Sequence, residues 1–190
     1  MIPAWNLAGV LPPIRPGEEG HGNDRSPYAA TMLDVVDRFG TNNDRRVILS
    51  GLLDYRQALY HLNIVEGFQW LNGSFTEDVE SLQGRSPNDV DVVTFFKLPA
   101  GETQASLWPQ LHHLFDVGHT KQVFRVDGYP MLLAEVMEDR HVHQIAYWYS
   151  MWGHTRDRNW KGFLRVNLDP HADTDARQLL EAIQLMEPEQ

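Results

Sequence analysis

The stretch Phe68-Gln69-Trp70-Leu71-Asn72-Gly73-Ser74, followed by Pro87-Asn88-Asp89-Val90-Asp91-Val92-Val93-Thr94-Phe95-Phe96, decides how this chain is read. The first segment is a short apolar strand ending in a Gly-Ser bend. The second is a β-branched and aromatic run of the kind that forms a buried strand. Successive side chains on a strand alternate faces, so Asp89 and Asp91 point the same way. Two carboxylates on one face of an apolar strand repel each other, and burial raises the cost of keeping both ionised. A divalent cation removes both problems. Hard oxygen ligands on a short, rigid scaffold suit Mg²⁺, with Mn²⁺ as a substitute.

Working outward, Val123-Phe124-Arg125-Val126-Asp127 reads as a third strand. If it lies beside the second, Asp127 joins the cluster, and three carboxylates can hold two metal ions. One would bind a triphosphate. The other would acidify an attacking hydroxyl, with Asp127 as ligand or proton acceptor. Gly73 lets the backbone approach a phosphate, Ser74 adds a donor, and a helix beginning near residue 75 would turn free N–H groups toward an anion. Glu77, Asp78 and Glu80 read most simply as the solvated start of that helix. The segment Thr155-Arg156-Asp157-Arg158-Asn159-Trp160-Lys161-Gly162 places three cations in an acidic chain. Arg156, Arg158 and Lys161 are therefore expected on nucleotide phosphates, with a solvated loop as the alternative. Tyr147, Trp148, Tyr149 and Trp152 could stack on a base, although core packing is the simpler role.

The remaining segments frame this core. Residues 1–25, broken by prolines and glycines, read as an extended arm whose Trp5, Leu7, Val10, Leu11 and Ile14 pack on the body. Residues 26–190 read as one domain with its motif core at 67–130. Ser26-Pro27 is expected to start a helix that Gly40 stops. A second helix begins near Thr41–Asp44 with the stripe Ile48, Leu49, Leu52, Tyr55, Leu59 and Leu62, its Arg45, Arg46, Arg56 and Gln57 facing water or a partner. Helices are expected over 75–83, 103–116 and 173–186 and a strand over 161–168; residues 141–152 read as either helix or strand, with Val142, Ile145, Ala146 and Tyr149 at helical spacing. The order strand, helix, strand, helix, strand predicts an α+β fold: a small mixed β-sheet flanked by helices, with an N-terminal helical pair.

Composition narrows the function. The chain has 190 residues, 42% hydrophobic and 22% charged, enough for one packed domain. Sixteen Lys+Arg against 26 Asp+Glu give 16 − 26 = −10. That excludes a fold-wide basic surface for nonspecific nucleic-acid binding. The absence of cysteine excludes disulfides, thiolate metal sites and cysteine nucleophiles. No apolar run reaches membrane-spanning length and Met1–Asn6 lack a signal-peptide pattern, so a cytoplasmic protein without a membrane partner is expected. His112-His113 and His141-x-His143 read as surface or capping histidines. Ser74 lacks the Gly-x-Ser-x-Gly elbow of a hydrolase nucleophile.

The order strand, Gly73-Ser74, helix, Asp89-x-Asp91 strand, later Asp127 strand resembles the DNA polymerase β-like nucleotidyltransferase superfamily over about residues 67–130. More closely, Phe68–Glu80 and Pro87–Phe96 are similar to a little-characterised bacterial branch of it, as are Ile2-Pro3-Ala4 and Gly9–Pro13. The resemblance implies a nucleotidyltransferase-like fold and Mg²⁺-dependent transfer of NMP from an NTP to an acceptor hydroxyl or phosphate. The acceptor could be protein, RNA or a small molecule. Two features depart from compact members of the superfamily: the long link 75–88 and the acids at 77–80. They motivate a second expectation, a binding or regulatory module on the same fold in bacterial toxin–antitoxin or phage-defence systems. A nuclease using the same carboxylates is a third.

Overall fold

A computed structural model of the protein describes residues 1–186. Five strands, β1 (Tyr28–Ala30), β2 (Gly67–Asn72), β3 (Val90–Phe96), β4 (Val126–Leu132) and β5 (Leu164–Asn167), form one mixed sheet in the order β1-β5-β2-β3-β4. β2 runs antiparallel to both β3 and β5, whereas β4 lies parallel to β3 and β1 parallel to β5. Seven helices flank it: α1 (Met32–Phe39), α2 (Asn43–His61), α3 (Val79–Gln83), α4 (Gln104–Leu111), α5 (Val117–Phe124), α6 (Asp139–Trp152) and α7 (Pro170–Met186). The architecture is the expected α+β layer with an N-terminal helical pair. Among the described residues no helix is long and apolar enough to cross a membrane.

Strand alternation divides the molecule into two cores. Val90, Val92 and Phe96 face the larger one with Leu71, Val126 and the apolar stripes of α1, α2 and α7. Val93 and Phe95 face the other with Trp70, Met131, Phe163 and Trp152 of α6. Asp91 has the parity of Val93, and Asp127 that of Met131, so both carboxylates belong to the α6 side.

Helix ends follow their caps. The Thr31 hydroxyl accepts the Asp34 N–H, and Asp34 reciprocates at the Thr31 N–H, so α1 starts at Met32. It does not start at Ser26-Pro27. Ser26 instead accepts the Phe163 N–H (2.9 Å) and Tyr28 enters β1. Asn42 caps α2 as expected. The arginines of α2 do not face water: Arg45 and Arg56 are fully buried and Arg46 nearly so. Asp54 and Gln57 of α2 are exposed, Gln57 as expected, but the arginines lie on its inner faces, where the guanidinium groups of Arg45 and Arg56 are matched from within. Arg45 reaches Glu80 and the carbonyls of Phe75 and Glu77 (2.6 Å each). Arg56 reaches Asp173 (2.6 Å), Gln69 (2.7 Å) and the Asn167 carbonyl (2.7 Å).

Four segments differ in extent, the first being the strand expected over 161–168, of which only Leu164–Asn167 is strand, so that Lys161 precedes it. Residues 75–83 divide into a one-turn 3₁₀ segment, Ser74–Thr76, and the short α3. Helix 103–116 breaks into α4 and a 3₁₀ turn, His112–Phe115. The expected strand over 123–127 begins late. Val123 and Phe124 end α5, Arg125 turns the chain in the left-handed region (φ 57°), and β4 runs on through Pro130 to Leu132. Proline is tolerated there because β4 is an outer strand. The arm packs through Val10 and Leu11 as expected and through Ile2 besides, whereas Leu7, expected to pack, is fully exposed.

Candidate active site

Register brings the site together. Asn72 of β2 pairs with Asp91 of β3, and Asp91 pairs with Asp127 of β4, so three polar side chains lie in one row across the end of the sheet. Asp89 stands two residues before Asp91 on the same parity, at the mouth of β3. Gly73 follows Asn72 with φ +81°, and a methyl group there would lie 2.7 Å from Oδ2 of Asp91. Both the backbone angle and the close carboxylate thus demand glycine. Asn72 is fixed from the other side, its Nδ2 donating to the Trp152 carbonyl (3.2 Å). Ser74 opens only a three-residue turn, not the longer helix expected to present N–H groups to an anion.

Burial pushes the Asp91 carboxyl up to about 6; the Asp127 and Asp89 charges push the same way, and Lys161 and Lys121 offset part of the rise. Burial and then the Asp127 carboxylate push the Tyr129 hydroxyl up to about 12. Oδ1 of Asp127 is buried without a hydrogen-bond partner. Its Oδ2 lies 2.7 Å from Nζ of Lys121, which also reaches Oδ2 of Asp89 at 3.4 Å. The hydrogen bond to Asp127 holds the Lys121 ammonium above its ordinary range. Lys121 is a site residue that the sequence did not disclose. With 123–127 read as a strand, nothing placed α5 beside the carboxylates.

Of the three expected phosphate-binding cations, only Lys161 comes to the site. It is buried, ion-paired to Glu77, and donates to the Gly73 carbonyl (3.4 Å). Arg156 and Arg158 stay exposed on a loop closed by the Thr155–Asn159 bonds, and neither pairs with a site carboxylate among the described residues. The acids of 77–80 are tied down more than a solvated helix start would be. Glu77 pairs with Lys161, and Asp78 caps α3 by accepting the Ser81 N–H. Burial pushes Glu80 up, but bonds from Arg45 and Asn42 outweigh it and hold the carboxyl below its usual range. The α6 aromatics mostly pack. Trp152 is buried, Trp148 lies 4.7 Å from the Tyr129 ring, and the Tyr149 hydroxyl donates to the Ser26 carbonyl. Tyr147 is exposed. His141 accepts the Glu138 N–H at the start of α6 and His143 is exposed beside Asp139, matching the capping and surface roles expected of them.

The chemistry of this donor set fits a hard divalent cation. Its donors are all oxygens, one of them is buried and unsatisfied, and an ammonium already stands against Asp89 and Asp127. Its arrangement is not that of a finished metal centre: among the described residues no three His, Asp or Glu side chains are gathered so as to hold an ion. A cleft of about 420 Å³ opens at the start of α2, lined by Asp44, Arg85, Asn88 and Arg125 among others, and none of the site carboxylates lines it.

No curated protein and no solved structure matches the chain. One family model does, over residues 3–167, and on that span the chain belongs to DUF6932, a family of unknown function.

Proposed function

We propose that the protein is a Mg²⁺-dependent nucleotidyltransferase on a nucleotidyltransferase-like fold, moving NMP from an NTP to an acceptor hydroxyl or phosphate. The observation that carries this reading is the register Asn72–Asp91–Asp127 beside Gly73, with Asp89 two residues upstream. Asp89, Asp91 and Asp127 would hold the metal, with Mn²⁺ as a substitute. When bound, it supplies the positive charge that lets the carboxylates and a triphosphate share one space. Gly73 lets the backbone pass close against the Asp91 carboxylate, and Lys161, donating to the Gly73 carbonyl, brings a cation to that bend. Asp127, with one oxygen unpartnered, accepts the proton of the acceptor hydroxyl. The acceptor oxygen then bonds to the α-phosphorus, the bond from that phosphorus to the bridging oxygen breaks, and the electron pair leaves with pyrophosphate.

The test is label transfer from α-³²P NTPs in millimolar Mg²⁺ or Mn²⁺, offered protein, RNA and small-molecule acceptors. Transfer should occur with one of them and fall at least about a hundredfold in the Asp89→Ala/Asp91→Ala double variant. Absence of transfer to every acceptor would remove the proposal.

One observation favours a second reading. Lys121 and Lys161 both already face carboxylates, so the chain itself meets part of the site's negative charge. A binding or regulatory module, in bacterial toxin–antitoxin or phage-defence systems, needs nothing more. Full biological activity of the same double variant would favour it over catalysis.

A further inference from the structure

Lys121 and Lys161 flank the same carboxylates but are held differently. Lys161 has a side chain only 5% exposed and is fixed by Glu77 and the Gly73 carbonyl. Lys121 has a side chain 42% exposed, and its ammonium is held at the tip only, 2.7 Å from Asp127 and 3.4 Å from Asp89. Asp89 and Asp127 come from different segments of the chain, and this one ammonium joins them. A divalent ion shared by those two oxygens would bind each at about 2.0–2.6 Å. It would lie in the space the ammonium now fills, and two cations cannot share that space at contact distance. The four carboxylates of the site (Glu77, Asp89, Asp91, Asp127) nevertheless need positive charge at all times. Lysine on a flexible four-carbon stem can supply it and still withdraw, because its head is a compact charge with no fixed fork geometry.

We propose that Lys121 is a resident counter-cation: its ammonium holds Asp89 and Asp127 together in the metal-free protein, and a divalent metal binds only by displacing it. This rests on the metal-dependent reading above. It also explains why the acids do not already form a finished metal centre, since their facing oxygens are turned to an ammonium. Once displaced, the ammonium remains on α5 at the edge of the site, placed to meet an anionic group that arrives with the metal.

The experiment is Mn²⁺ binding to the full chain, followed by electron paramagnetic resonance of free Mn²⁺, for wild type, Lys121→Met and Lys121→Gln. Circular dichroism first confirms that each variant is folded. Both variants should bind Mn²⁺ at least about tenfold tighter than wild type, because no cation has to leave. Equal or weaker binding by the folded variants would overturn the displacement while leaving a metal site standing. Failure of all three proteins to bind at millimolar Mn²⁺ would overturn the displacement and the metal-dependent reading together. Should neither variant fold, wild type decides: acylation of Lys121, mapped by mass spectrometry against exposed Lys97, should rise when Mn²⁺ is added. No rise overturns the proposal.

Discussion

At the scale of single residues, Asp91 is the site carboxylate whose ionisation burial and its neighbours oppose. It keeps its proton to about pH 6 in the folded chain, against an ordinary value of 3.8. Between those values the folded state binds more proton than the unfolded one, so without metal the stability falls as pH rises from about 4 through about 6 and stays lower above. Replacing Asp91 by Asn removes the titration and keeps the shape. In chelator at pH 7.5 the Asp91→Asn variant should be more stable than wild type, by up to about 3 kcal/mol, with the gain gone near pH 4. Urea denaturation at the two pH values measures this; an equal difference at both would contradict it. The pair Asp89 and Asp91 was legible because the period of a strand fixes which residues share a face, whatever the rest of the fold does. Lys121 was not, since a lysine 25 residues beyond the end of β3 carries no mark of where its tip will rest.

At the scale of elements, the legible pieces were those whose pattern answers to one neighbour. β2, β3 and α7 lie where alternation or helical spacing put them, and α6 resolves as helix a segment whose pattern also allowed a strand. α5 and β4 were misdivided because Val123, Phe124 and Val126 are continuous in apolarity, and only the left-handed turn at Arg125 separates helix from strand. α2 was located correctly but its surroundings were not. A helix whose polar residues are arginines looks half-solvated in sequence, and its partners, Glu80 and Asp173, lie far along the chain. Arg56 and Asp173 join α2 to α7 in a pair whose side chains are 0% and 9% exposed. The Arg56→Met variant leaves that carboxylate without its guanidinium partner and should lose about 3–5 kcal/mol. The double change Arg56→Met/Asp173→Leu should lose much less, because no orphaned charge remains. Denaturant midpoints of the single and double variants check this, and additive losses would argue against it.

At the scale of the molecule, the N-terminal arm reaches the site without contributing a functional side chain to it. Trp5 Nε1 donates to the Thr76 carbonyl (2.8 Å), and the Asp78 N–H donates to the Gly9 carbonyl (2.8 Å). The Gly162 N–H, next to Lys161, donates to the Leu11 carbonyl (2.6 Å). The arm therefore braces both the bend after Gly73 and the segment carrying Lys161. Deleting residues 1–11 should raise hydrogen exchange at Asp78 and Gly162 by at least about tenfold while leaving Val93 in the sheet centre protected. Unchanged exchange at both amides would show that the brace is idle. The two outer strands bear on a different matter. β1 is three residues long, and β4 carries a proline, which has no N–H to offer a newcomer. Neither border gives a second chain a long ladder to zip onto, so crowded copies of this acidic protein are poorly equipped to grow into fibrils through their sheets.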